Sequence, residues 1–260
     1  MTDFETISVD LGSDGLATLT ITRPKALNAL NEQVLTELSQ ALEDLAARDL
    51  RALIVTGEGR AFIAGADIKA MMEMSADEAL TFGHLGHSVM NALQGLPFPT
   101  IAAVNGFALG GGLELALSCD LIYLSEKAKV GLPEVGLGII PGFGGTQRLG
   151  RRIGWHHARR LVFTGATIDA AEALRIGLAL EVFPADEFMD KVRDVATAIA
   201  SQGPVAVRRA REVMARGAEL PLEDANRAEV EAFAGLWDTA DRAEGMAAFV
   251  DRRDVDFQGA

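Results

Sequence analysis

The chain has 260 residues, 49% of them hydrophobic, enough for one large domain or a core with an appendage, and this excludes intrinsic disorder. A formal net charge of −13 argues against nucleic acid and anionic membranes, both of which need a basic footprint, but leaves room for a phosphorylated small molecule held by a few local cations. Cys119 is the single cysteine, so no intrachain disulfide forms and a buried structural thiol in a reducing compartment is expected.

The first residues, Met1-Thr2-Asp3-Phe4-Glu5, are acidic and carry no targeting pattern. No apolar run approaches the ~20 residues needed to span a bilayer, so a soluble cytoplasmic protein is expected. Residues 6–10 and 16–22 alternate around Gly12-Ser13-Asp14-Gly15, a hairpin signal. Arg23-Pro24-Lys25-Ala26-Leu27-Asn28-Ala29-Leu30 reads as a loop opened by proline. Asn31 is placed to cap a helix in which Val34, Leu35, Leu38, Leu42 and Leu45 recur at helical spacing. Residues 52–55 form a short apolar strand before the loop at Gly57-Glu58-Gly59.

Phe62-Ile63-Ala64-Gly65-Ala66-Asp67-Ile68-Lys69 is small and apolar without clear periodicity. Such residues either pack tightly or bring backbone N–H groups against a pocket. Residues 75–94 read as a helix capped by Ser75, with a weak spot at Gly83 and Gly86. His84 and His87 could share a face, but no further metal ligands stand at suitable spacing.

The central stretch follows. Residues 100–104 read as a buried strand, Gly110-Gly111-Gly112 as a turn without side chains, and residues 113–117 as the start of a buried helix. A strand, a bare turn and a helix N-terminus can face unpaired N–H groups toward a ligand oxygen. Glu114, in the first turn, is either a partner of the helix dipole or a catalytic acid beside that turn. Residues 121–124 are a strand. Glu134 then stands alone among Leu132, Val135, Leu137, Ile139 and Ile140. It is either an exposed loop residue or a desolvated acid with a raised pKa suited to proton transfer. Gly144-Gly145-Thr146 opens another helix. Helical patterns cover 155–163, 169–174 and 186–201, with a short strand near 180–183. Gly203-Pro204 marks a boundary, and residues 205–215, 222–236 and 240–250 read as three amphipathic helices, with a partly loose tail from 251. The expected division is a core over residues 1–202 and a helical region over residues 203–260.

Four of these stretches, in this order, resemble the crotonase (enoyl-CoA hydratase/isomerase) family: the Arg23–Leu30 loop, Ala64-Gly65-Ala66-Asp67-Ile68-Lys69, Asn105 through Ala116, and Pro133-Glu134-Val135 through Gly144-Gly145-Thr146-Gln147-Arg148-Leu149. The resemblance implies an α/β fold, a spiral of strand-strand-helix units with C-terminal helices for trimerisation, and trimers that stack as a hexamer. It implies an acyl-CoA thioester substrate and no separate cofactor, coenzyme A being part of the substrate. By motif match, the backbone N–H groups of Ala66 and Gly111 form an oxyanion hole. Glu114 and Glu134 correspond to the two acids of the hydratases, which add water to trans-2-enoyl-CoA, giving (3S)-3-hydroxyacyl-CoA as in fatty acid β-oxidation. Ala64, Ala66, Asp67, Ile68, Lys69 and Lys25 correspond to the coenzyme A contacts, and Gly142 to a contact with the water. The alternatives are an enoyl-CoA isomerase, another acyl-CoA lyase or hydrolase of the family, and an inactive acyl-CoA-binding subunit. Phe82, Leu85, Met90 and Trp237 are apolar candidates for the acyl tunnel.

Overall fold

The computed structural model describes residues 4–260. Strands β1 (Ile7–Leu11) and β2 (Leu16–Ile21) form the antiparallel hairpin, in register from Ile7 opposite Ile21 to Leu11 opposite Ala17. Asn31 caps α1 (Glu32–Ala46), its side chain accepting from the Val34 amide at 3.0 Å, and the leucine stripe of this helix is buried. β3 (Ala52–Gly57) is buried along its whole length, as a parallel strand covered on both faces must be.

From β3 the chain repeats one pattern: a long strand, a corner, a short strand, then helix. β3 leads to β4 (Ala61–Ile63), α2 (Ile68–Met71) and α3 (Ala76–Gln94). β5 (Thr100–Val104) leads to β6 (Phe107–Leu109) and α4 (Gly111–Leu117). β7 (Leu121–Ser125) leads to β8 (Lys129–Gly131), a 3-10 turn at Glu134–Leu137 and α5 (Gly145–Ile153). With β9 (Thr167–Asp169) and β10 (Glu181–Phe183), the strands order as β1-β2-β3-β5-β7-β10 in one sheet and β4-β6-β8-β9 in the other. Pairing is parallel apart from β1 with β2 and β8 with β9. Each repeat therefore advances one strand in both sheets, which is the expected spiral of strand-strand-helix units.

The corners are bound by side chains as well as backbone. Asn105 donates to the carbonyls of Gly57 (2.8 Å) and Gly59 (2.9 Å), tying one corner to the next. Ser75 and Glu78 close a capping box at the start of α3. α3 runs unbroken through Gly83 and Gly86. Gly86 gives room to another side chain: a Cβ there would lie 2.1 Å from the ring of Phe143.

α6 (Trp155–Thr164) and α7 (Ala170–Arg175) follow, the latter capped by Asp169, and α8 (Phe188–Ala200) packs Phe188, Val192 and Ala196 under the six-stranded sheet. The last helices are α9 (Pro204–Gly217), α10 (Leu222–Ala234) and α11 (Ala240–Asp251). Arg211 of α9 reaches Asp120 at 2.8 Å and the carbonyls of Leu96 and Gln94. Phe249 and Val250 are left exposed on α11, as are Met214 on α9 and Phe233 on α10. The tail is not loose. The Asp241 carboxylate accepts from the amides of Gln258 (2.7 Å) and Gly259 (2.9 Å), and the Phe257 ring packs beside Gly203 and Gly245. A polar, aperiodic segment conceals an anchor when one buried carboxylate provides it.

Candidate active site

The site begins with the proline-opened loop. Asn28 is fully buried, with φ of 60°. Its amide group donates to the carbonyls of Glu58 (3.0 Å) and Ala61 (2.8 Å), while its oxygen accepts from the Arg23 amide at 2.9 Å. Backbone bonds extend the seam: Ala64 donates to Leu27, Leu30 to Gly65, and Asp67 to Leu30. Leu30 thus bridges the residues on either side of Ala66. Successive amides of an extended segment point in opposite directions. The Ala66 N–H therefore faces away from Leu30 and has no acceptor among the described residues.

A second unpaired amide comes from the triple glycine. Gly110 has φ of 51° and ψ of −125°, a conformation open to glycine, and its N–H is taken by the Gly131 carbonyl. Gly112 lies against β4, where a Cβ would stand 2.0 Å from the Ile63 carbonyl oxygen. Between them, Gly111 is the first residue of α4, so its N–H has no partner within the helix.

The two acids meet at this turn. Glu114 is 1% exposed, and its Oε1 accepts from the amides of Phe143 (2.8 Å) and Gly145 (2.7 Å). Burial raises its pKa, while those amides and the charge of Arg148 pull it partly back. Glu114 is thus tied to a neighbouring loop rather than to its own helix end. Arg148 fixes that loop: it donates to the Phe143 carbonyl at 2.9 Å and is held by Asn91 (2.7 Å) and Gln94 (3.1 Å) of α3. Glu134 opens the 3-10 turn and is not an exposed loop residue. Its Oε2 is buried without a hydrogen-bond partner, and its Oε1 lies against Gly110. Burial, with the charge of Glu114 added, pushes its carboxyl up to about 7.

One cavity of about 190 Å³ collects these groups, and apolar side chains dominate its walls. Of the residues expected from sequence, Glu114, Glu134, Ala66, Gly111, Ala64, Ile68 and Gly142 line it. Asp67, Lys25 and Lys69 do not. Asp67 pairs with Arg23 at 3.4 Å, and the two lysines are exposed on the seamed segments with no carboxylate within 4.0 Å among the described residues. Of the tunnel candidates only Phe82 lines the cavity; Leu85 borders a neighbouring one, Met90 is buried in the core, and Trp237 lies beyond α10. Sequence reasoning missed the Phe143 and Gly145 amides that hold Glu114. The glycines from 142 to 145 were the available signal for a close backbone approach.

The two-sheet spiral carries two acids and two unpaired main-chain donors at one cavity, and the chain belongs to the family described as Enoyl-CoA hydratase/isomerase, which it matches over residues 12–260. It is 46% identical over 243 residues to the short-chain-enoyl-CoA hydratase of Clostridium acetobutylicum, covering 93% of each chain. It is 46% identical over 246 residues to the crotonyl-CoA hydratase of Syntrophomonas wolfei, covering 93% of this chain and 94% of the relative. The crystal structure of an enoyl-CoA hydratase from Bacillus anthracis superposes with a TM-score of 0.96 at 39% identity, covering 98% of this chain and 100% of that one.

Proposed function

We propose that this chain is an enoyl-CoA hydratase that adds water reversibly and syn to trans-2-enoyl-CoA, giving (3S)-3-hydroxyacyl-CoA. The single observation that carries this is the convergence of Glu114 and Glu134 on one apolar cavity beside the unpaired amides of Ala66 and Gly111. Polarising the thioester carbonyl makes C3 electrophilic. Water attacks C3, and Glu114 accepts the proton it loses. Negative charge moves onto the thioester oxygen, where the two amides stabilise it; losing one such donor costs about 3–4 kcal/mol. Glu134, its carboxyl pushed up to about 7 so that a protonated fraction is present at neutral pH, delivers a proton to C2 and collapses the enolate. One water is consumed, and its hydroxyl and the Glu134 proton end on adjacent carbons. The next turnover begins once the pair has re-equilibrated its proton.

Retention of both acids favours hydration over double-bond isomerisation and over a binding role without catalysis. Lys25 and Lys69, both exposed and in no ion pair among the described residues, are proposed partners for the coenzyme A phosphates. The exposed apolar residues of α9 to α11 are proposed to bury in a homotrimer or a stacked hexamer. No helix among the described residues is long and apolar enough to cross a membrane, and a cytoplasmic location is proposed with the acyl-CoA substrate. The test is crotonyl-CoA hydration, followed as loss of the enoyl thioester absorbance. Glu114→Gln and Glu134→Gln should each lower kcat by orders of magnitude while acyl-CoA binding survives. Unchanged turnover in both would remove the mechanism.

A further inference from the structure

Phe82 occupies an unusual place, because it lines two cavities at once. On one side lies the cavity that holds Glu114 and Glu134; on the other lies a cavity of about 510 Å³ between α1, α2 and α3. The ring is 8% exposed and meets Phe143 edge-on, with centroids 5.3 Å apart. Phe143 is itself wedged against Gly86, one turn along α3, and its amide holds Glu114. Phe82 therefore cannot retreat into the core without displacing the loop that positions the acid. The outer cavity has Met74 and Leu85 among its apolar residues, but Glu32, Glu73, Asp77 and Glu78 also line it, and no lysine or arginine does.

We propose that Phe82 is the end wall of the acyl subsite and restricts this chain to short enoyl thioesters whose tails carry no anionic group. This rests on the hydratase function proposed above and adds its substrate class. An acyl chain anchored by its carbonyl at the amides and extended past the acids runs along the apolar walls and stops at the ring. A longer chain needs the space behind Phe82. A chain ending in a carboxylate would place that charge toward four acids with no countercharge, so opening the wall admits long neutral tails and still rejects anionic ones. Glu78 is a firm member of that set, since hydrogen bonds from Ser75 keep its carboxyl below the usual range.

The experiment measures kcat/KM for crotonyl-, hex-2-enoyl- and dec-2-enoyl-CoA, and for the mono-CoA thioester of hex-2-enedioic acid, with the native chain and Phe82→Ala. The native chain should favour crotonyl-CoA, and Phe82→Ala should raise the decenoyl-to-crotonyl ratio by about tenfold or more, the scale on which apolar pockets discriminate single methylenes. The dioate should stay poor in Phe82→Ala and improve when Asp77→Asn and Glu73→Gln are added. Phe82→Leu keeps an apolar side chain in the same place and should shift the ratio part of the way if the alanine variant does not fold. Leu85→Ala, which enlarges only the outer cavity, should leave the ratio unchanged. A folded Phe82→Ala or Phe82→Leu that hydrates crotonyl-CoA with the native ratio overturns the wall. A native chain that hydrates none of the thioesters overturns the hydratase function itself, and the two failures are distinguishable.

Discussion

Replacing Glu134 with glutamine should make the protein more stable at alkaline pH. The carboxyl titrates at about 7 in the fold against an ordinary value of 4.5, so the folded chain holds this proton more tightly than the unfolded chain. For a group shifted upward, the stabilising contribution is complete below pH 4.5 and is lost as pH rises through about 7. That interval corresponds to about 3.5 kcal/mol at roughly 1.4 kcal/mol per pH unit. Glu134 is only partly buried, and solvent screens the charge, so about 1–2 kcal/mol is expected. The amide is nearly isosteric and has no charge to desolvate. Urea unfolding of both proteins at pH 4.5, 6, 7 and 8.5 measures the difference. The curves should agree at the lowest pH, diverge between pH 5 and 7, and reach a plateau above that, worth roughly 2–8 °C in Tm. A difference independent of pH, or one greatest at acid pH, would refute the placement of this acid in a poorly solvated site. Enhanced stability with lost turnover is the exchange expected where a functional group is held in an unfavourable setting.

Three further outcomes are expected. Gly112→Ala should lower stability by about 1–3 kcal/mol in chemical denaturation, because the added Cβ would stand 2.0 Å from a backbone oxygen of β4 that cannot swing aside. The pH profile of crotonyl-CoA hydration should be bell-shaped, with an acid limb above 4.5 as Glu114 protonates and an alkaline limb near 7 as Glu134 loses its proton; the activity that survives Glu134→Gln should lack the alkaline limb. Asp241→Ala should leave the amides of Gln258 and Gly259 without acceptors, cost about 1–2 kcal/mol, and expose the last ten residues to limited proteolysis that the parent resists.

The elements that could be read from sequence are those with enough residues to show a period. α1 declares itself through its leucines and Asn31, α3 through the Ser75 cap, and β5 through an apolar run between Pro99 and the glycines. The strands that escaped, β4, β6, β8 and β9, have three residues each, too few for alternation to register, and the equally short β10 shows only as a brief apolar stretch between helical patterns. Together they form the second sheet, so the two-sheet spiral came from the family resemblance and not from the pattern of hydrophobicity. Within the site, Glu114 and Glu134 stood out as acids in apolar surroundings, a local property of sequence. That Glu114 is held by Phe143 and Gly145 is a contact across about thirty residues, and single-chain periodicity has no access to it. The same holds for Asp241 and the tail it anchors.

The two bare amides have a consequence for how such a protein diversifies. One exists because Leu30 bonds on either side of Ala66, the other because Gly111 starts a helix between Gly110 and Gly112, where a side chain does not fit, and both donors belong to the main chain. Mutation can exchange Glu114 or Glu134 one at a time and leave both main-chain donors in place. Under the proposed function, substitutions of the acids or of the cavity walls would alter the chemistry while the two donors stay, which places a different reaction on the same class of ester within a few changes.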